Sequence, residues 1–265
     1  MTNVTAVRKT AGAVFIMLAL SAACRAQSPP DIAVPEIVTD RPDVTESSIV
    51  VPKGSLQVEN GATWTTDHGS QTLDLSESLI RLGFLTRTEF RLVVPNYLGG
   101  ITGPDVSGFC DIALGVKQQM GPLTGGFDLS VIIAVSLPTG GSQVSSHGYD
   151  PFIKFPWSKE LKSGWSIGGM QSLFWNTDGN RRNGDWEPTF YLEKEITKPW
   201  DAFVEFAGDF SQRGGPREIA HFGTAYRLTS KQQVDFHFGF GVSDAAPRRF
   251  FAVGYSFRFD KLWGR

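Results

Sequence analysis

The stretch QVDFHFGFGV, residues 233–242, and its successor FFAVGYSFRF, residues 250–259, decide how this chain reads. In the first, Val234, Phe236, Phe238, Phe240 and Val242 alternate with Asp235, His237, Gly239 and Gly241. In the second, Phe251, Val253, Tyr255, Phe257 and Phe259 alternate with Ala252, Gly254, Ser256 and Arg258. Residues two apart share a face of an extended strand, so each stretch has one oily face and one small or polar face. A soluble sandwich would stack such oily faces against each other. A membrane barrel turns them to lipid and encloses the polar set.

Working back toward the N-terminus, the pattern recurs. Phe90 and Leu92 oppose Glu89 and Arg91; Leu114 and Val116 oppose Gly115 and Lys117; Leu129, Val131 and Ile133 oppose Asp128, Ser130 and Ala134. Val204, Phe206 and Phe210 oppose Glu205 and Asp209. Residues 54–259 divide into about twelve such segments of roughly ten residues, the length a tilted strand needs to cross a bilayer. Residues 71–84 change frame midway, which reads as a bulge or as an unusually long strand leaving the membrane. Residues 149–161 and 164–176 alternate poorly, and Pro151, Pro156 and Pro188 weaken the strands around them. Connections at 99–107, 137–148, 176–185, 211–219 and 243–247 read as long. Those at 85–88, 120–126, 158–163, 197–199 and 229–231 read as short. Such alternation predicts outer loops and periplasmic turns, with both termini in the periplasm. Six of the seven Trp residues fall near strand ends and Trp263 just beyond the last strand, as interfacial belts require.

The N-terminus points the same way. Arg8 and Lys9 precede an apolar run at 11–23 that is too short to span a bilayer as a helix. Residues 1–26 read as a signal peptide, with Cys24 offering an alternative lipidation point. Cleavage after Ala26 removes Arg8, Lys9 and Arg25 and no acid, taking the formal charge from −2 to −5. That balance excludes a nucleic-acid partner. Cys110 would then be the one remaining cysteine, so the barrel would be held by hydrogen bonds and not by an internal disulfide. The 29 Gly, 20 Phe and 7 Trp suit a turn-rich, aromatic-surfaced β fold.

Charged residues on the small-residue faces become candidates for lining a pore: Glu77, Arg81, Glu89, Arg91, Asp111, Lys117, Asp128, Glu205, Asp209, His237 and Arg258. Ahead of the first strand, residues 27–53 are proline-rich and lack alternation. Asp40, Arg41, Asp43 and Glu46 form a dense charge group there. This segment is expected to plug or narrow the interior, with Arg41 pairing to Glu77 or Glu89. The other reading is a solvated tether beside ordinary interior ion pairs. His68 and His147 lie near Ser70, Ser145 and Ser146, but no catalytic motif stands out. No CxxC, HExxH or GxxxxGK[ST] pattern occurs, so no enzyme, metal or cofactor is expected.

Residues 39–61, TDRPDVTESSIVVPKGSLQVENG, resemble the opening of a bacterial family of outer-membrane transporters associated with the meta-pathway of phenol degradation. The likeness continues through residues 77–95, 108–119, 136–140 and 254–259. The resemblance implies an outer-membrane barrel that passes small, often aromatic, compounds. The tail 260–265, expected in the periplasm, departs from a barrel that ends on its terminal aromatic. The partners expected are outer-membrane lipid, a small-molecule solute and the barrel-assembly machinery. A sealed structural or adhesive barrel, binding a partner through its outer loops, is the alternative.

Overall fold

A computed structural model describes residues 35–103 and 106–263. The expected signal segment, Cys24 and residues 27–34 lie outside the described residues.

The strands in chain order are β1 (Leu56–Asp67), β2 (Ser70–Leu75), β3 (Leu79–Leu85), β4 (Thr88–Val93), β5 (Tyr97–Thr102), β6 (Gly108–Phe109), β7 (Ile112–Gln119) and β8 (Asp128–Leu137). They continue as β9 (Asp150–Glu160), β10 (Trp165–Asp178), β11 (Arg181–Thr197), β12 (Trp200–Ser211), β13 (Arg217–Thr229), β14 (Gln232–Gly241) and β15 (Arg249–Phe259). Every pairing between them is antiparallel. β1 pairs with β15 from Leu56↔Phe259 to Thr66↔Arg249, and this seam closes the sheet into a barrel. Closure leaves no strand edge for lipid to strip of hydrogen bonds.

Fifteen strands make twelve staves, because β2–β3, β4–β5 and β6–β7 are each one stave broken in the middle. The first break is the bulge at the frame change. Ala62 pairs with Leu75 and Glu59 with Leu79, three steps along β1 against four along its partner. Ser76 takes a positive φ of 56° there, and the Glu77 N–H still reaches Gly61 O at 3.1 Å.

The poorly alternating segments are strands after all. β9 and β10 pair over most of their length; Pro151 pairs with Val135 near the start of β9, and the ladder skips on one side of Pro156 and of Pro188. The β8–β9 register passes from Leu129↔Trp157 to Ile132↔Lys154, with no pair at Pro156. The β11–β12 register likewise passes from Trp186↔Phe210 to Thr189↔Ala207, skipping Pro188. A proline has no N–H to give, so the gap falls where the donor is missing.

Two expected connections are corrected. Residues 176–185 are paired strand down to Asp178↔Arg181, around a tight turn at Gly179 (φ 58°). Residues 99–107 contain most of β5. At the other end, the link at 120–127 is longer than expected and carries its own Leu123–Phe127 bridge. Loop asymmetry is therefore weaker than the sequence suggested; 138–149 is the longest distal connection.

The two faces sort as the alternation predicted. Ile133, Val253 and Phe259 point outward with 62%, 55% and 55% of their surface exposed. Ser130, Lys117, Glu59 and Ser256 point inward and are fully buried. The interior is thus a polar core with few oily members, among them Ile132, Met170, Phe203 and Phe250. Trp64 and Trp186 lie toward the distal end, where Trp186 tilts against Phe210. Trp165 and Trp200 open β10 and β12 at the end that carries both termini.

Candidate functional site in the barrel interior

Residues 36–51 run inside the barrel as an irregular segment held at many points by the wall. Its backbone is read by wall side chains. Glu59 Oε2 accepts the Asp40 N–H at 2.8 Å, and Glu89 Oε2 accepts the Val51 N–H at 2.7 Å. Arg81 donates to Val38 O and Ile49 O, and Lys117 Nζ donates to Ser47 O at 2.7 Å. A segment without secondary structure must satisfy its backbone somehow, and here the wall does so.

One wall, built from β3, β4, β7 and β9, supplies four bases: Arg81, Arg91, Lys117 and Lys154. Four acids answer them. Glu59 comes from the adjacent β1 and Glu89 from β4; Asp40 and Glu46 come from the segment. Arg81 lies 2.9 Å from both Glu59 and Glu89, Arg91 lies 2.6 Å from Asp40 and 2.5 Å from Glu46, and Lys154 lies 2.6 Å from Glu46. Lys117 reaches Asp40 at 3.0 Å. Burial pushes the Asp40 carboxyl up, yet Arg81, Lys117 and Arg91 together hold it well below the usual carboxylate range. A buried network of this kind is costly to break from either side, because removing one partner strands the other.

Arg41 makes a second lock. Its Nη1 donates to Glu77 Oε2 at 2.7 Å and its Nε lies 3.6 Å from Asp235. The guanidinium lies flat over Gly61 and Gly254, so close that a Cβ at Gly61 would sit 2.2 Å from Cζ. Only glycine leaves that space.

A third lock is centred on Glu205. It accepts the Val44 and Thr45 N–H groups at 2.8 and 2.9 Å, the Thr45 hydroxyl at 2.5 Å, and faces His221 Nε2 at 2.5 Å. Thr189 bonds Thr45 from β11. His237 sits beside His221, Nδ1 to Nδ1 at 3.4 Å, and Phe250 packs on both rings. Nearby, burial together with Glu205 and Glu193 pushes the Asp43 carboxyl well up.

The structure therefore brings Glu77, Arg81, Glu89, Arg91, Lys117, Glu205 and His237 onto the inner wall around Asp40, Arg41, Asp43 and Glu46. Four other candidates stand apart. Asp111 serves the loop at 138–148, accepting the Gly140 and Ser146 N–H groups at 2.8 and 3.0 Å. Asp209 lies opposite Arg217 toward the distal end. Asp128 opens β8 and borders a cavity of about 610 Å³ between the segment and the β8–β13 wall. Arg258 sits at the terminal mouth, bonding Glu36 O and Asp260.

Glu59, Lys154 and His221 escaped the sequence reading. The parity of β1 (Gln57, Glu59, Gly61, Thr63) was there to flag Glu59. The rings of His68 and His147 bond Asp67 and Ser142 O. Among the described residues, no group of three or more His, Cys, Asp or Glu side chains is placed to hold a metal ion.

A closed twelve-stave barrel with an oily outside, a charged inside and an inserted N-terminal segment is the fold of the outer-membrane channels. The solved structures agree. An outer membrane channel from Pseudomonas putida F1 superposes with a TM-score of 0.67 at 12% identity, covering 83% of this chain and 99% of that one. The NanC porin follows at TM-score 0.54 and 11% identity, covering 76% and 98%. A KdgM porin in complex with disordered oligogalacturonate gives 0.53 at 9%, covering 77% and 99%. No curated protein matches the chain. The model of the family described as "Putative MetA-pathway of phenol degradation" matches residues 39–259, and the chain belongs to that family.

Proposed function

We propose that this protein is a channel of the bacterial outer membrane for small molecules, aromatic compounds among them, and that residues 35–53 narrow its path. The observation that carries this reading is the pairing of a lipid-suited exterior with an enclosed, charged interior that keeps a cavity of about 610 Å³. A sealed structural barrel has no need of that space. The segment is seated by hydrogen bonds and ion pairs, together with the buried side chains of Ile37, Val50 and Val51. The long distal connection at 138–149, set against the short turns at 86–87, 198–199 and 230–231, favours placing both termini in the periplasm, with residues 1–26 removed on export. Assembly in the membrane then calls on the cell's barrel-inserting machinery.

Planar-bilayer recording tests the reading. The purified mature protein is expected to conduct, and deletion of residues 28–50 to raise its single-channel conductance. An unchanged conductance would remove the narrowing role. Absence of both conductance and solute swelling in proteoliposomes would leave the sealed barrel as the better description.

A further inference from the structure

The interior is electrically lopsided. On the wall of β3, β4, β7 and β9, four bases meet four acids, and the sum is zero. The segment completes that balance with Asp40 and Glu46. Across the barrel, β11 and β12 turn Asp185, Glu187, Glu193 and Glu195 and then Asp201, Glu205 and Asp209 to the same side. Register shows the shared face: Tyr191 pairs with Glu205, Glu193 with Phe203 and Glu195 with Asp201. No Lys or Arg shares that inward face between residues 185 and 195 or between 201 and 209; Lys194 has the opposite parity. Neighbouring β10 brings no charge from Ser166 to Phe174, and β13 brings Arg217 and Arg227. Among the described residues, Asp201 alone of the seven acids lies within 4 Å of an arginine or lysine nitrogen, at 2.7 Å from Arg227.

The cavity opens on this side. Asp43 from the segment, with Glu193, Glu195 and Asp201 from the wall, borders it beside Tyr191 and Phe203. Seating the segment cancels the basic wall, and in the lining of the remaining space the acids, Glu160, Glu193, Glu195 and Asp201 among them, outnumber the bases Arg41, Lys159 and Arg227. A narrow, low-dielectric path concentrates such an unbalanced field.

We propose that β11 and β12 form a charge filter, so that the path admits cations and neutral molecules and turns anions away. The inference rests on the channel reading and narrows its substrate class: amines and uncharged aromatics fit, and carboxylates do not.

The test is the reversal potential of the mature protein in a tenfold KCl gradient. Potassium is expected to outrun chloride by about threefold or more. The double variant Glu187→Gln/Glu193→Gln, its folding checked by heat-modifiable gel migration, is expected to bring the ratio close to one. Spermidine added to the wild-type protein gives a measurement that needs no variant, and block of the current is expected. Chloride preference, or a folded double variant with the wild-type ratio, or no block by spermidine, overturns the filter and leaves the channel standing. No current at all overturns the channel reading and the filter with it.

Discussion

Gly61 and Gly254 stand opposite each other in the register of β1 and β15, and the hollow left by their two missing side chains holds the guanidinium of Arg41. The barrel seam and the inserted segment are thereby joined at one point. A Cβ at Gly254 would lie 2.4 Å from Asp235 Oδ2 and 2.6 Å from Arg41 Nε, so that hollow is shared with the Asp235 carboxylate. Gly61→Ala is expected to expel the guanidinium and break its bond to Glu77, at about 1–3 kcal/mol. In an Arg41→Ala background the same glycine change should cost almost nothing. A double-mutant cycle on unfolding in detergent measures this coupling, and additive costs would refute it.

Glu205 gathers four bonds on one carboxylate, three of them from the segment. An amide has one oxygen to offer where the carboxylate has two. Glu205→Gln should therefore weaken the hold on Val44 and Thr45 by about 2 kcal/mol. Amide hydrogen exchange reads it directly: protection at Val44 and Thr45 falls, while protection in β14 stays.

The segment's two aspartates respond to pH in opposite directions. Asp40 is held below the usual range, so its contribution is complete above about pH 4 and is lost only in stronger acid. Asp43 is pushed up by burial, Glu205 and Glu193, so its protonated form suits the folded state. Its contribution is present in acid and is lost as pH rises through that raised value. From mildly acidic to neutral pH, Asp43 alone of the two changes, and the seat should loosen as pH rises. Asp43→Asn should flatten that dependence and stabilise the neutral-pH state. Denaturant midpoints across the pH series check it.

Asp111 holds the loop at 138–148 rather than facing the central cluster. Asp111→Ala should speed proteolytic cutting of that loop several-fold, because two half-buried N–H donors of the loop lose their acceptor. Barrel migration on gels should not change.

Most of the fold was legible because β14 and β15 alternate cleanly, with glycine, serine and alanine inside. β9 and β10 were harder. Their inward residues include Pro156, Met170 and Phe174, which look no more polar than their outward neighbours. The turn at Gly179 was hidden because Asn176, Asp178, Arg181 and Asp185 read as loop composition, whereas they are a polar strand extension. Arg81, Glu89, Arg91 and Lys117 were found by parity. The four outliers share parity too, but parity fixes a face and not a height: Asp111, Asp128, Asp209 and Arg258 lie near breaks or stave ends. The partners of the cluster needed three dimensions, since Asp40 meets Lys117 from 77 positions away.

The zero sum on the basic wall reaches beyond the behaviour of one molecule. Asp40 and Glu46 travel on a stretch of chain that looks to a genetic engineer like a detachable leader, while Arg91 and Lys154 belong to the scaffold. Swapping in a leader from another barrel would import a different tally and leave two cations stranded in a closed space. The leader and those staves can drift only in step, so grafts should succeed when they carry both.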